Sequence, residues 1–289
     1  IVVGGGLSLY ALRVSQVKSE GRYKFASREV ALWLNNIFLV VATLIVLLGT
    51  LLPMIHKELG LGSISIGEPF FNKMFAILLV PFAILMGMGP LLRWKQNKWS
   101  MLQNKFALSA VVSLVATAAW LYSSYDVIAP ITFIATALAV WIVVTTVVDL
   151  AAKVTIHKTL GEGFKRLGLS YWAMVLGHVG LAFVIAGVTL TSAYSVERDV
   201  SMKPGDTVAL NEYQYRFDGV KSIRGANYSG HAGVVTVLKN DKQVTVLHAE
   251  KRRYDIGMQF MTEAAVDAGF TRDLYLALGE QLSQGAWSL

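Results

Sequence analysis

Between Ile1 and Tyr194 the chain runs again and again for about twenty residues without a charged side chain, and a soluble fold has little use for such segments. Six apolar runs follow one another: Ile1 to about Val14, Val30 to Ile55, Met74 to Leu92, Phe106 to Tyr122, Val127 to Val148 and Tyr171 to Tyr194. A helix needs about 20 apolar residues to cross the ~30 Å hydrocarbon core of a bilayer. The runs therefore predict a polytopic membrane protein of about six transmembrane helices, the first of them short. Composition agrees: 54% of residues are hydrophobic and only 16% charged, with a mean hydropathy of +0.52. Soluble domains carry about 25% charged residues.

The loops predict an orientation. Arg13, Lys18, Arg22, Lys24 and Arg28 lie between the first two runs. Arg93, Lys95, Lys98 and Lys105 lie between the third and fourth, and Lys153, Lys158, Lys165 and Arg166 between the fifth and sixth. The alternate loops hold only Lys57 and Lys73, balanced by Glu58 and Glu68, and then Asp126. Basic residues are retained on the cytoplasmic side of a bacterial inner membrane, so whatever follows Tyr194 is expected in the periplasm. Trp94, Trp99, Trp120, Tyr122, Tyr171 and Trp172 fall where interfacial aromatic belts belong. Pro81 and Pro130 read as tolerable kinks inside runs three and five.

Residues 195–289 read differently, which predicts two regions: a transmembrane helical region over 1–194 and a β-rich exported domain over 195–289. Glu212 to Phe217 alternates polar and aromatic residues. Val234 to Leu238 and Val244 to His248 are β-branched runs joined by Lys239-Asn240-Asp241-Lys242, a hairpin turn by composition. The expectation is a small all-β barrel or sandwich of about a hundred residues, with a short helix around Arg272 to Leu282.

Several chemistries are excluded. The chain has no cysteine, so it holds no disulfide, no Cys-ligated zinc, no iron–sulfur cluster and no covalent c-type haem. Its net charge of +7 is spread over short loops beside lipid headgroups rather than gathered in a basic block with interleaved aromatics, which argues against nucleic acid. No HExxH and no His pair at helical spacing marks a zinc or di-iron site. The chain opens on Ile1 inside an apolar run and closes on Trp287-Ser288-Leu289, and both ends read as cuts through a longer polypeptide.

The informative residue is His178, the one ionisable side chain between Tyr171 and Tyr194 and about 10 Å into that run. An ionisable group at such depth is costly and tends to face the bundle interior, where it serves a function. Neutral imidazole is a good iron ligand. Ala182 and Ala186 share its helix face at i+4 and i+8, and Gly177, Gly180 and Gly187 clear the adjacent flank. That strip leaves room for a flat macrocycle, and equally for another helix. Haem or metal ligation, an interhelical hydrogen bond and a proton relay all stay open at this level. His56 reads as interfacial, His157 as solvated, and His231 and His248 as ordinary residues of the β domain. The glycines at 60, 62 and 67 and at 161, 163 and 168 lack the strand or the Gly-Lys-Ser/Thr ending of nucleotide motifs.

The segment His56-Lys57-Glu58-Leu59-Gly60-Leu61-Gly62-Ser63-Ile64-Ser65-Ile66-Gly67-Glu68-Pro69-Phe70-Phe71-Asn72 closely resembles the CcmF family, the haem lyase subunits of bacterial cytochrome c maturation. The resemblance continues through Met86 to Trp94, His178-Val179-Gly180-Leu181-Ala182, Tyr194 to Val200, Met261 to Ala265 and Thr271 to Tyr275. It implies an inner-membrane enzyme subunit that joins haem vinyl groups to the CxxCH thiols of exported apocytochrome c. It also implies a haem chaperone and other maturation subunits as partners. A b-type haem would sit in the bilayer, with His178 as one axial ligand and the second ligand outside this chain. The family's Trp-rich haem-presenting motif, its flanking exported histidines and a closing transmembrane helix are not matched here, so this chain alone is expected to be inactive. The competing readings are a multi-pass transporter or channel subunit with His178 as a proton relay, and a non-catalytic scaffold of a maturation complex.

Overall fold

The computed structural model describes residues 2–16, 26–95, 99–256, 260–269 and 272–289. Lys18, Arg22, Lys24, Lys98 and Thr271 lie outside the described residues. The chain divides into two compact units, Ile1–Tyr194 and Ser195–Leu289.

The first unit is helical: α1 (Val2–Arg13), α2 (Arg28–Glu58), α3 (Glu68–Met88), α4 (Trp99–Ser124), α5 (Pro130–Val154), α6 (Leu160–Lys165) and α7 (Leu169–Tyr194). Five of these, α2, α3, α4, α5 and α7, are long and apolar enough to cross a membrane. At 12 residues α1 covers only about 18 Å, short of a bilayer core. Local chemistry sets the starts. Ser27 caps α2 by accepting from the Val30 amide at 3.3 Å. Pro130 does not kink the fifth run but opens it, as the first residue of α5, where its missing N–H costs nothing. Pro53 and Pro81 lie within α2 and α3.

Helix α5 is the hub and packs on α3, α4 and α7. Without a hydrophobic gradient between helices, close backbone approach and local hydroxyl bonding take over. Thr145 and Thr146 are buried and donate back to the carbonyls of Trp141 and Ile142 at 2.8 and 2.7 Å. A Cβ placed on Gly87 of α3 would lie 2.1 Å from Trp141 Nε1, so only glycine lets the indole of α5 seat there. Outward faces stay apolar, with Leu39, Leu48, Leu108, Val115, Leu176 and Phe183 exposed. Exposed apolar area on this scale requires lipid or further helices. The first unit is a multi-pass membrane protein.

The second unit is all β. Strands β1 (Ser201–Met202), β2 (Thr207–Leu210), β3 (Tyr213–Arg224), β4 (Tyr228–Lys239), β5 (Lys242–Tyr254), β6 (Phe260–Glu263), β7 (Ala265–Ala268), β8 (Asp273–Leu276) and β9 (Trp287–Ser288) make three antiparallel sheets. Their orders are β2-β3-β4-β5-β6, β7-β8 and β1-β9. Asn240 and Asp241 both take positive φ (52° and 60°) in the two-residue turn that pairs Lys239 with Lys242. The core joins Phe217, Val235, Val237 and Leu247 of the large sheet to Leu274, Leu276 and Trp287 of the small ones. The short helix expected around Arg272 to Leu282 is absent. Leu274 and Leu276 are buried while Asp273 and Tyr275 are exposed, a period-2 pattern that β8 satisfies and a helix would not.

Candidate metal-ligand site around His178

The side chains of interest converge where α2 and α7 begin and α3 and α5 end, at the end of the bundle that carries the basic loops. His178, half-buried, lies nine residues into α7. Its Nδ1 stands 2.9 Å from the carbonyl oxygen of Met174, one turn earlier. A carbonyl only accepts, so Nδ1 carries the proton and donates. The ring is thereby held in the tautomer whose Nε2 lone pair is free, and its orientation is fixed by the helix backbone. Metal-bound histidines characteristically tie down their other nitrogen in this way.

Room exists beside that ring, on a different side from the one the small residues suggest. Ala182 is 2% exposed and packs with Ala139 and Ile142 of α5. The small face above His178 therefore admits a helix, not a cofactor. Gly177, Gly180 and Gly187 have no other part of the chain within 4 Å of an added Cβ. The open volume, about 540 Å³, lies toward the N-terminal turns of α7, the direction in which helical side chains lean. Ligand cavities run from about 300 to 1,000 Å³ and are apolar with a few placed polar groups. This one matches that description. Leu32, Leu85, Met86 and Met174 supply apolar wall, Asn35 and His178 the inner polar groups, and Arg28, Lys153, Ser170 and Tyr171 a polar lip.

The lip is a small electrostatic network. Asp149, 6% exposed near the end of α5, pairs with Lys153 one turn on and accepts from the Tyr171 hydroxyl at 2.9 Å. The Lys153 ammonium also lies 4.9 Å from the centre of the Tyr171 ring. Arg28 donates through Nη2 to the Pro90 carbonyl at 3.2 Å and lies 5.6 Å from the Trp94 ring centre. Among the described residues no carboxylate is within ion-pair distance of Arg28.

His178, singled out from the sequence, is thus joined in one cavity by Arg28, Asn35, Lys153 and Tyr171, with Asp149 behind the last two, an assembly the sequence did not reveal. Arg28 and Lys153 read as topology signals and Tyr171 as a belt residue. Asp149 fell just beyond the run that ends at Val148, although its i, i+4 spacing to Lys153 was a usable sign. Among the described residues no other histidine lines the cavity. His56 Nδ1 meets the Gly62 carbonyl at 3.0 Å, His231 packs 5.3 Å from the Trp287 ring, and His248 is exposed. No group of three or more metal-ligating side chains occurs among the described residues, so a bare metal ion has no cage here. A ligand that brings most of its own donors to the metal needs only one nitrogen from this chain.

Comparison with known proteins agrees with the residues quoted above. The family described as CcmF C-terminal beta-sandwich matches residues 193–289. The cytochrome c-type biogenesis protein CcmF of Escherichia coli (strain K12) is 46% identical over 291 residues, covering 100% of this chain and 44% of that protein. Along its whole length the chain is similar to CcmF proteins. The Haemophilus influenzae CcmF is 40% identical across 100% of this chain and 45% of its own length. A solved structure titled Cytochrome c Heme Lyase CcmF shares the fold, with a TM-score of 0.66 at 17% identity over 92% of this chain and 42% of that one. The chain therefore spans a little under half the length of the CcmF relatives that it matches.

Proposed function

We propose that this chain carries one iron-ligating residue, His178, of a b-type haem embedded in the membrane, as part of a haem lyase in cytochrome c maturation. The whole enzyme would attach haem to the CxxCH thiols of exported apocytochrome c. A haem chaperone and other maturation subunits would be its partners, the bacterial inner membrane its place, and the periplasm the location of the sandwich. The second axial ligand is assigned outside these 289 residues, in keeping with the length of the CcmF relatives. When bound, the haem would supply one-electron chemistry, with its potential set by axial ligands and burial.

One observation carries the reading. The Met174 carbonyl fixes the proton on Nδ1, which leaves the Nε2 lone pair of His178 as the basic atom beside a cavity of ligand size. The remaining residues fit a flat apolar ring: aliphatic and thioether walls exclude water, and polarity is confined to Asn35 and the lip. A proton-relay reading gains the Lys153–Asp149–Tyr171 network. Yet Tyr171 and His178 stand two turns apart, about 10 Å, and the Nδ1 proton of His178 is already committed to a backbone carbonyl.

The test uses the full-length protein. His178→Gly is expected to lose the six-coordinate b-haem absorbance, and added imidazole to restore it by filling the vacated ligand space. An unchanged spectrum in His178→Gly would remove the assignment.

A further inference from the structure

We propose that Arg28 is the anchor for a carboxylate arm of the porphyrin, with Lys153 as a second, weaker cation at the same lip. This rests on the assignment of His178 as iron ligand and adds a second point of attachment, which fixes how the ring is turned about the iron–nitrogen axis.

The argument is one of position and charge. Helices α2 and α7 start at the same end of the bundle and both line the cavity. On α2 the lining residues are Arg28, Ala31, Leu32 and Asn35, which share one face at i, i+3, i+4 and i+7. On α7, Tyr171, Met174 and His178 repeat the spacing at i, i+3 and i+7. Each helix therefore offers a polar residue at the lip and another about 10 Å deeper, with apolar side chains between. That separation suits a porphyrin held by its iron at the deeper level, with its acidic edge at the lip.

The charges at the lip do not cancel. Behind the lip the buried carboxylate of Asp149 is engaged by Lys153 and Tyr171. Arg28 has a carbonyl and an indole face but no acid among the described residues. A half-buried guanidinium against an apolar wall is costly without an anion, and its fork geometry suits a carboxylate. A loop arginine that merely marks the cytoplasmic side would extend to water. Arg28 instead reaches Pro90 and lines the same volume as His178.

The test compares protohaem with its dimethyl ester in the full-length protein, stripped of haem and reconstituted. The native protein is expected to prefer the free acid by about tenfold, and Arg28→Gln to lose most of that preference while keeping the six-coordinate spectrum that His178 gives. Arg28→Lys should recover part of it, and Lys153→Gln should have a smaller effect. A preference that survives Arg28→Gln unchanged overturns the proposal. So does a loss of co-purified anionic phospholipid from Arg28→Gln with no change in ester discrimination, which would assign the guanidinium to a lipid phosphate. If the native protein binds both haems with spectra indifferent to His178→Gly, the ligand assignment fails instead, a distinct outcome.

Discussion

Asp218 has no partner across the β3–β4 ladder, because the register steps from Phe217 opposite Val235 to Gly219 opposite Val234. That bulge, with Gly219 at φ 128°, turns an otherwise surplus side chain onto the sheet. Arg216 Nε donates to it at 2.8 Å, and the buried Thr236 hydroxyl donates to its other oxygen. Burial alone would raise the Asp218 carboxyl, but the bonds from Thr236 and Arg216 outweigh it and hold the group below its ordinary value. A carboxyl lowered by folding adds stability that is full above its unfolded pKa of about 3.9 and disappears as pH falls through the folded value. Asp218→Asn is therefore expected to cost about 1 kcal/mol at neutral pH, at the low end for a charged hydrogen bond because Asp218 is 30% exposed. It should also flatten the loss of protection that sets in as pH falls below about 4. Amide exchange at Val235 and Thr236 measures both, and an equally steep acid response in the variant would refute the account. None of this was legible in the sequence, since a bulge is a relation between two strands. His178 surfaced because it stands alone among apolar neighbours, a contrast visible in one dimension.

Helices and strands were legible to the extent that their periodicity outlasts their length. Runs of about twenty apolar residues announce α2, α3, α4, α5 and α7 without ambiguity, whereas the four residues of β8 are too few to separate period 2 from 3.6. Pro130 was misplaced as a kink because an apolar run shows where hydrophobicity begins, not where the helix does. How α3 meets α5 was also hidden, and Gly87 is where it becomes testable. The Trp141 indole sits against the Gly87 backbone and donates from Nε1 to the Ile84 carbonyl at 3.3 Å. Gly87→Ala would drive a methyl into a rigid, nearly buried ring, at a cost of about 1–3 kcal/mol for overpacking. The cost should appear as a lower unfolding midpoint of the detergent-solubilised protein. On a Trp141→Phe background the same substitution should be milder, because the six-membered ring leaves the Nε1 position empty. Equal costs on both backgrounds would show that the contact does not govern packing there.

At the level of the whole molecule, the cavity at His178 was beyond reach of the sequence because its walls come from four helices. Arg28, Pro90 and Lys153 are each separated by about sixty residues, and Tyr171 lies a further helix away, so they signal nothing to one another along the chain. Orientation is the opposite case, a property of the entire chain carried by counting charges. Arg28, Arg93, Lys95, Lys105, Lys153 and Lys158 fall at the ends where α2, α4 and α7 begin or α3 and α5 finish, while the opposite ends hold almost none. Since positive loops resist translocation, the residues between α5 and α6 should stay in the cytoplasm and the sandwich should be exported. The absence of cysteine from this chain makes the prediction clean to test. Ile156 is 79% exposed between α5 and α6, and Tyr275 is 57% exposed on β8, so each tolerates a cysteine at the surface. In the full-length protein, with any cysteines elsewhere replaced by serine, a membrane-impermeant maleimide should label Tyr275→Cys in intact spheroplasts. Ile156→Cys should react only after permeabilisation. The inverse pattern would place the basic loops outside and move the lip of the His178 cavity, with Arg28 and Lys153, to the periplasmic side of the membrane.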